Sequence, residues 1–328
     1  MRPTDPTENP VRVRTAFSAV EIVAFTFTAP ARDDAALPEP AARFPVGEEP
    51  TGVSVAPGLD RAAYTTDHDL VRVDADGTVA WRLALDAPPR SERFMSGRPS
   101  IAFSADGSLL WLYRPDQAWH GPRRTDRLLA LDPATGGVLA ESDLGSSGHG
   151  AELLPHPDGR HVLVGVGEGQ DGGRNFLARL EDGSLALTRY DLYGHLRDLS
   201  PDGRVFLLSD EDEVTSHAFP SGEPISRVGV DAFGYDEERF ETLFVGLHTA
   251  GFLDHRTAVV AVNGEVVDPE DGDPYLPDFL ENHAVDVATG RVLGPLPEPS
   301  RYAESLTVLG DGSWTGPDAS GRGARFTL

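Results

Sequence analysis

Short apolar runs and tight polar turns alternate along most of the chain. The pattern is clearest from Gly194 to Asp210, where two apolar runs flank Ser200-Pro201-Asp202-Gly203. Pro presets one turn dihedral and Gly accepts a positive φ, so these four residues reverse the chain between two strands. Variants recur as Ser104-Ala105-Asp106-Gly107, His156-Pro157-Asp158-Gly159 and Leu309-Gly310-Asp311-Gly312. A second kind of turn, acidic or small and ending in Gly, falls between them: Asp74-Ala75-Asp76-Gly77, Asp132 to Gly136, Glu181-Asp182-Gly183, Pro220-Ser221-Gly222 and Asp286 to Gly290. Each pair of turns outlines a four-strand unit, and the units repeat from Pro50 onward.

The last unit supplies only three strands, at Ser305–Leu309, Ser313–Thr315 and Ala324–Leu328. Near the other terminus, Glu21 to Thr28 (E-I-V-A-F-T-F-T) reads as a strand without a unit. An open sheet edge invites aggregation, so residues 21–28 are expected to close the ring as the outer strand of the last blade. The expected fold is all-β, a six-bladed β-propeller. Residues 1–15 form a loose arm and residues 16–328 a single domain. Dividing the length by about 40–45 residues per blade gives seven instead, but the hairpins count to six. Trp81, Trp111 and Trp314 fall on strands and are expected to pack blade on blade.

The stretches Pro50 to Pro57 and His195 to Gly203 resemble the repeats of YVTN-type and WD-repeat-like propellers. Leu131-Asp132-Pro133-Ala134-Thr135-Gly136 and Val285-Asp286-Val287-Ala288-Thr289-Gly290 are similar to them as well. The resemblance covers roughly residues 50–328. It implies the fold only, because these motifs are turn signals.

In a four-stranded blade the a–b and c–d turns lie at one end, and the b–c loops and blade-to-blade connections at the other. The turns above are all short. The long segments, Arg114–Asp126, Gly167–Asn175, Asp231–Ala250 and Asn263–Asn282, are all assigned to the opposite end, which marks it as the working surface. Trp119, Arg123, Arg174 and Arg98 fall there, and Trp and Arg supply much of the energy at recognition surfaces. His149, His195 and His248 each lie just before the first strand of a unit, and Arg98 and Glu304 hold the matching places in two others. All five are expected at the mouth of the axial channel. The acidic run Asp268 to Asp273 lacks the ligand spacing of an EF-hand and reads as a solvated loop.

Composition narrows the chemistry. The net charge is −25 and the pI about 4.6, which repels nucleic acid and anionic lipid. There is no Cys, hence no disulfide and no thiol nucleophile. All 28 basic residues are Arg, which removes the Walker lysine and Schiff-base chemistry. No cofactor is expected, and no apolar run reaches the ~20 residues of a membrane span. Ala16 to Phe27 imitates a signal sequence, but Glu21 interrupts it, and cytoplasmic localisation is expected.

Two functions fit. One is a recognition module that binds a protein or peptide through the long-loop face. The other is an enzyme with an axial site for a polar small molecule, as in lactonase-like or strictosidine-synthase-like propellers, using His149, His195 or His248 with Glu304.

Overall fold

The computed structural model describes residues 13–27, 35–85, 97–116, 125–169, 172–236, 239–266 and 279–328. Four strands open the chain: β1 (Val13–Phe17), β2 (Glu21–Thr26), β3 (Ala35–Ala36) and β4 (Ala42–Pro45). Three of them, in the order β1-β2-β4, make the first sheet. The second sheet is β5 (Gly52–Val55), β6 (Arg61–Thr65), β7 (Asp69–Asp74) and β8 (Val79–Ala84). The third is β9 (Ser100–Phe103), β10 (Leu110–Arg114), β11 (Arg127–Leu131) and β12 (Val138–Asp143). The fourth is β13 (Gly150–Pro155), β14 (His161–Gly167), β15 (Gly173–Glu181) and β16 (Ser184–Arg189).

The fifth sheet contains β17 (His195–Leu199), β18 (Val205–Ser209), β19 (Glu213–Ala218) and β20 (Pro224–Gly229). The sixth contains β21 (Phe240–Phe252), β22 (Thr257–Val266), β23 (Phe279–Asp286) and β24 (Arg291–Pro295). The seventh joins β25 (Thr307–Val308), β26 (Ser313–Pro317) and β27 (Gly323–Thr327) to β3. Neighbouring strands pair antiparallel, as in β1–β2, β14–β15, β22–β23 and β27–β3.

There are therefore seven blades among the described residues, not the expected six. The extra one is the first sheet. Its β1–β2 turn is Ser18-Ala19-Val20, with the Ser18 hydroxyl accepting from the Glu21 N–H at 3.3 Å, so it carries no Asp-Gly signal. Glu21–Thr26 pairs with β1 and β4 inside this sheet and is not the closing strand. The outer strand of the seventh sheet is β3, through Ala36 opposite Ala324. Val13 to Thr15, expected in a loose arm, belong to β1.

Two compact units emerge. One holds residues 13–27 and 38–195 of the described chain, and the other 35–37 and 196–328. In the first unit, Ala62, Tyr64, Val71 and Val73 bury one face of the second sheet against Ile22, Ala24 and Phe44. Ala63 and Leu70 bury its other face against Ile101, Phe103 and Leu112. A middle strand covered on both faces reads as a continuous apolar run rather than an alternating one. Trp111, fully buried, then packs the third sheet on Val164 and Phe176 of the fourth. In the second unit Leu207 and Val228 meet Val245, Val260 and Val285, while Leu253 and Ala284 meet Trp314 and Phe326. Trp81 lies half-buried on the third sheet's Pro133–Gly136 turn, donating to the Pro133 carbonyl at 3.0 Å. Gly136 has φ +72°, and a Cβ there would meet the Trp81 ring at 2.8 Å, so a side chain is excluded twice over.

Aspartates hold the turns. Asp106 Oδ1 accepts from the Ser108 N–H at 3.0 Å, Asp132 Oδ1 from Ala134 at 2.8 Å, and Asp286 Oδ1 from Ala288 at 3.1 Å. Part of the acidity of the chain is therefore turn chemistry. Among the described residues no helix is long and apolar enough to cross a membrane.

Candidate functional site

Three buried side chains, each at or just before the third strand of a blade, reach the connection that leads to the next blade. Asp126, fully buried, accepts from the Gly148 N–H at 2.7 Å and from the Ser146 hydroxyl at 3.2 Å. The Tyr113 hydroxyl donates to the same carboxylate at 2.8 Å. Burial and that neighbouring carboxylate raise the Tyr113 pKa, so the phenol keeps its proton. Asn175 Nδ2 donates to the Gly194 carbonyl at 2.9 Å. Asn282 Nδ2 donates to Ser300 and Ala303 carbonyls at 3.1 and 2.9 Å.

The pinned residues Gly148, Gly194 and Ala303 stand immediately before His149, His195 and Glu304. Sequence reasoning chose these three positions but missed the clamps beneath them. A single buried Asn or Asp leaves no periodic signal in the sequence.

In the first unit the clamped segments sit side by side. The Arg98 N–H donates to the His149 carbonyl at 3.0 Å, and the His149 N–H donates to Gly167 at 2.9 Å. A Cβ built on Gly167 would lie 4.0 Å from His195 Nδ1, and one on Gly169 would lie 3.5 Å from His149 Nε2. Arg98 and His149 are exposed and His195 half-buried. Arg174 is already engaged: Nε bonds Glu168 at 2.6 Å and a terminal nitrogen bonds the Gly145 carbonyl at 2.7 Å. In the second unit His248, expected just before the first strand of its blade, lies instead within β21 and is exposed, because that strand begins earlier, at Phe240; Glu304 is exposed before β25. Trp119, Arg123 and the Asp268–Asp273 run lie outside the described residues.

The segments Asp231–Ala250 and Asn263–Asn282, expected as long loops, are partly strand. Phe240 pairs with Val266, and Asn263 with Leu280, so β21, β22 and β23 extend into them. This extension builds a cluster that sequence reasoning missed. The Tyr235 hydroxyl bonds Glu281 and lies 2.6 Å from His283 Nε2, and Arg301 bonds the other Glu281 oxygen. Phe233, Phe240 and Phe279 surround the Tyr235 and His283 rings. His283 is buried, and its Nδ1 has no hydrogen-bond partner among the described residues. Burial holds its pKa below the ordinary value, although Glu281 pulls the other way. Burial alone would raise the Glu281 pKa, but hydrogen bonds from Tyr235 and Arg301 outweigh it and keep the carboxylate ionised.

No family model and no curated protein matches the chain. Among solved structures it is similar to the C-terminal WD40 domain of Sif2, at 11% identity and a TM-score of 0.55, covering 96% of this chain and 81% of that one. The fold is a β-propeller. The propeller is also similar to Kuenenia stuttgartiensis hydrazine synthase (17% identity, TM-score 0.49, 82% of this chain and 76% of that one). A third similar structure is Chaetomium thermophilum Sqt1 bound to the N-terminus of ribosomal protein L10 (16% identity, TM-score 0.48, coverage 84% and 74%). At 11% identity the likeness to the Sif2 domain shows the fold and nothing finer.

Proposed function

We propose that this protein is a recognition propeller that binds a protein or peptide through its blade-to-blade connections. The observation that carries this reading is the set of buried clamps, Asp126, Asn175 and Asn282, beneath His149, His195 and Glu304. A backbone fixed in advance presents the exposed His149 and Glu304 and the half-buried His195 without an ordering cost on binding, which is what a recognition surface requires. The net charge of −25 favours a basic segment as the partner and speeds its approach.

A second reading, an enzyme, draws on one observation: Tyr235, His283 and Glu281 form a hydrogen-bonded chain of the kind that moves protons. Selection from a displayed peptide library separates the two. The binding reading expects basic peptides to be enriched by the intact protein and lost by the variant His149→Ala with His195→Ala at unchanged melting temperature. Enrichment that survives this variant overturns it. Turnover in a substrate panel that Tyr235→Phe abolishes establishes the enzyme.

A further inference from the structure

The hairpin between β13 and β14 departs from its siblings at two positions. The turn Ser200-Pro201-Asp202-Gly203-Arg204-Val205 is answered here by His156-Pro157-Asp158-Gly159-Arg160-His161. In the sibling turn Ser200 donates to Asp202 at 2.7 Å and also accepts from the Val205 N–H at 2.9 Å. The third blade uses Ser104 with Asp106 in the same way. Imidazoles thus replace a Ser and a Val on either side of an unchanged Asp.

The backbone puts them together. The His156 N–H donates to the His161 carbonyl at 2.9 Å, which closes the hairpin and sets the two residues opposite each other on one face. Asp158 at the tip turns back between them. Its Oδ2 lies 2.7 Å from His161 Nδ1 and 3.1 Å from His156 Nδ1. One ligand atom from each of the three side chains falls within 4.8 Å of the other two. Ligands of a tetrahedral zinc at about 2.0–2.2 Å stand about 3.3 Å apart. The Asp158 N–H donates to His156 Nδ1 at 3.1 Å, so the His156 ring gives up that bond or presents Nε2 to complete a three-ligand face. The side chains are 13%, 35% and 20% exposed in the order His156, Asp158, His161, which leaves a fourth position open to water.

We propose that His156, Asp158 and His161 form a binding site for a divalent transition-metal ion, zinc above all. Two imidazoles with one carboxylate select zinc or its borderline neighbours over calcium and magnesium, which prefer all-oxygen sites. The site belongs to the short-turn side of its blade and is independent of the clamped connections.

The siblings supply the control. His156→Ser with His161→Val rewrites this hairpin as the sequence the chain already folds at 200–205, so the double variant is expected to keep its fold and melting temperature without metal. Untagged full-length protein is stripped with chelator and titrated with zinc by calorimetry. One zinc per chain, with a raised melting temperature, is expected of the intact protein and neither of the double variant. Cobalt(II) should give visible d–d bands in the intact protein alone. Sub-stoichiometric binding by the intact chain overturns the site, as does equal binding by the double variant, which would place the metal on other histidines. If the double variant does not fold, His156→Ser alone must weaken zinc binding at least tenfold, and unchanged affinity is then the refuting result.

Discussion

The residue with the largest effect for its size is the clamp asparagine. Asn282 gives two hydrogens to carbonyls at Ser300 and Ala303, while its buried Oδ1 has no partner among the described residues. Asn175 repeats the arrangement, with its Oδ1 also unpartnered. A donor is therefore required at these places, and the acceptor of the amide is not used. Asn282→Ala is expected to cost about 1–3 kcal/mol by urea denaturation, because the buried Ala303 carbonyl loses its side-chain donor and the Ser300 carbonyl is left with the Ala303 N–H alone. Asn282→Asp should cost more than Ala at neutral pH, since a carboxylate would face those same carbonyl oxygens. An aspartate variant as stable as the wild type would show that the amide's hydrogens do not hold the connection. Asp126 serves the corresponding role with a carboxylate because its targets are the Gly148 N–H and the Ser146 hydroxyl.

At the scale of the element, two inner strands tie themselves to the next through one repeated position. In the fifth blade Asp198 Oδ2 accepts from the Phe252 N–H at 2.8 Å, joining β17 to β21. Ser54 holds the same place before its turn in the second blade and accepts from the Phe103 N–H at 3.0 Å, joining β5 to β9. Asp198→Ala should destabilise by about 1.5–3 kcal/mol, the range for a hydrogen bond to a charged group, while Asp198→Asn recovers much of the loss. Equal losses for the two variants in thermal melts would place the effect elsewhere. The elements themselves were legible wherever a turn announced them, since an Asp-Gly reversal between apolar runs has one physical meaning. The first blade escaped because Ser18 turns its hairpin and because β3 is interposed between β2 and β4. The cluster at Tyr235 escaped for a related reason: Glu281, Asn282 and His283 are polar residues within a strand, and such a run reads as loop. The repeat register sets His149, His195 and Glu304 at the starts of first strands, but it misplaces His248, because β21 begins at Phe240, ahead of any turn signal. The clamps under the first three were not legible, because a single buried amide leaves no periodic trace.

For the molecule as a whole, acidification should act in two stages. His217 is buried, stacks on Phe206 and bonds Gly222 and Thr215, and burial lowers its pKa, as it does for His283. A lowered histidine pKa means the unfolded chain takes up protons more readily than the folded one. Stability from these groups is therefore complete above about pH 6.5 and is lost as the pH falls from there towards the folded values. The turn aspartates follow at lower pH. Asp158 is brought down to about 2, its burial outweighed by the N–H groups of Arg160 and His161 and by the His161 ring, and Asp106 is lowered as well. Their contribution disappears between about pH 4 and pH 2. Melting temperatures measured in 0.15 M salt, where long-range repulsion is screened, should thus fall first below pH 6.5 and again below pH 4. His217→Gln should flatten the upper stage, and a melting temperature that rises between pH 7 and pH 5 would contradict it.

The pairing of Ala36 with Ala324 bears on how the protein is made. A ribosome releases Ala36 long before Ala324, so β3 waits while the intervening blades are made for β27, its one neighbour in the sheet among the described residues. A long apolar strand left waiting with a bare edge would recruit other nascent chains. This one is two residues long, and Ala36 offers a single methyl group. Such a segment binds too weakly to be captured by a wrong edge, and it docks once β27 is present to receive it.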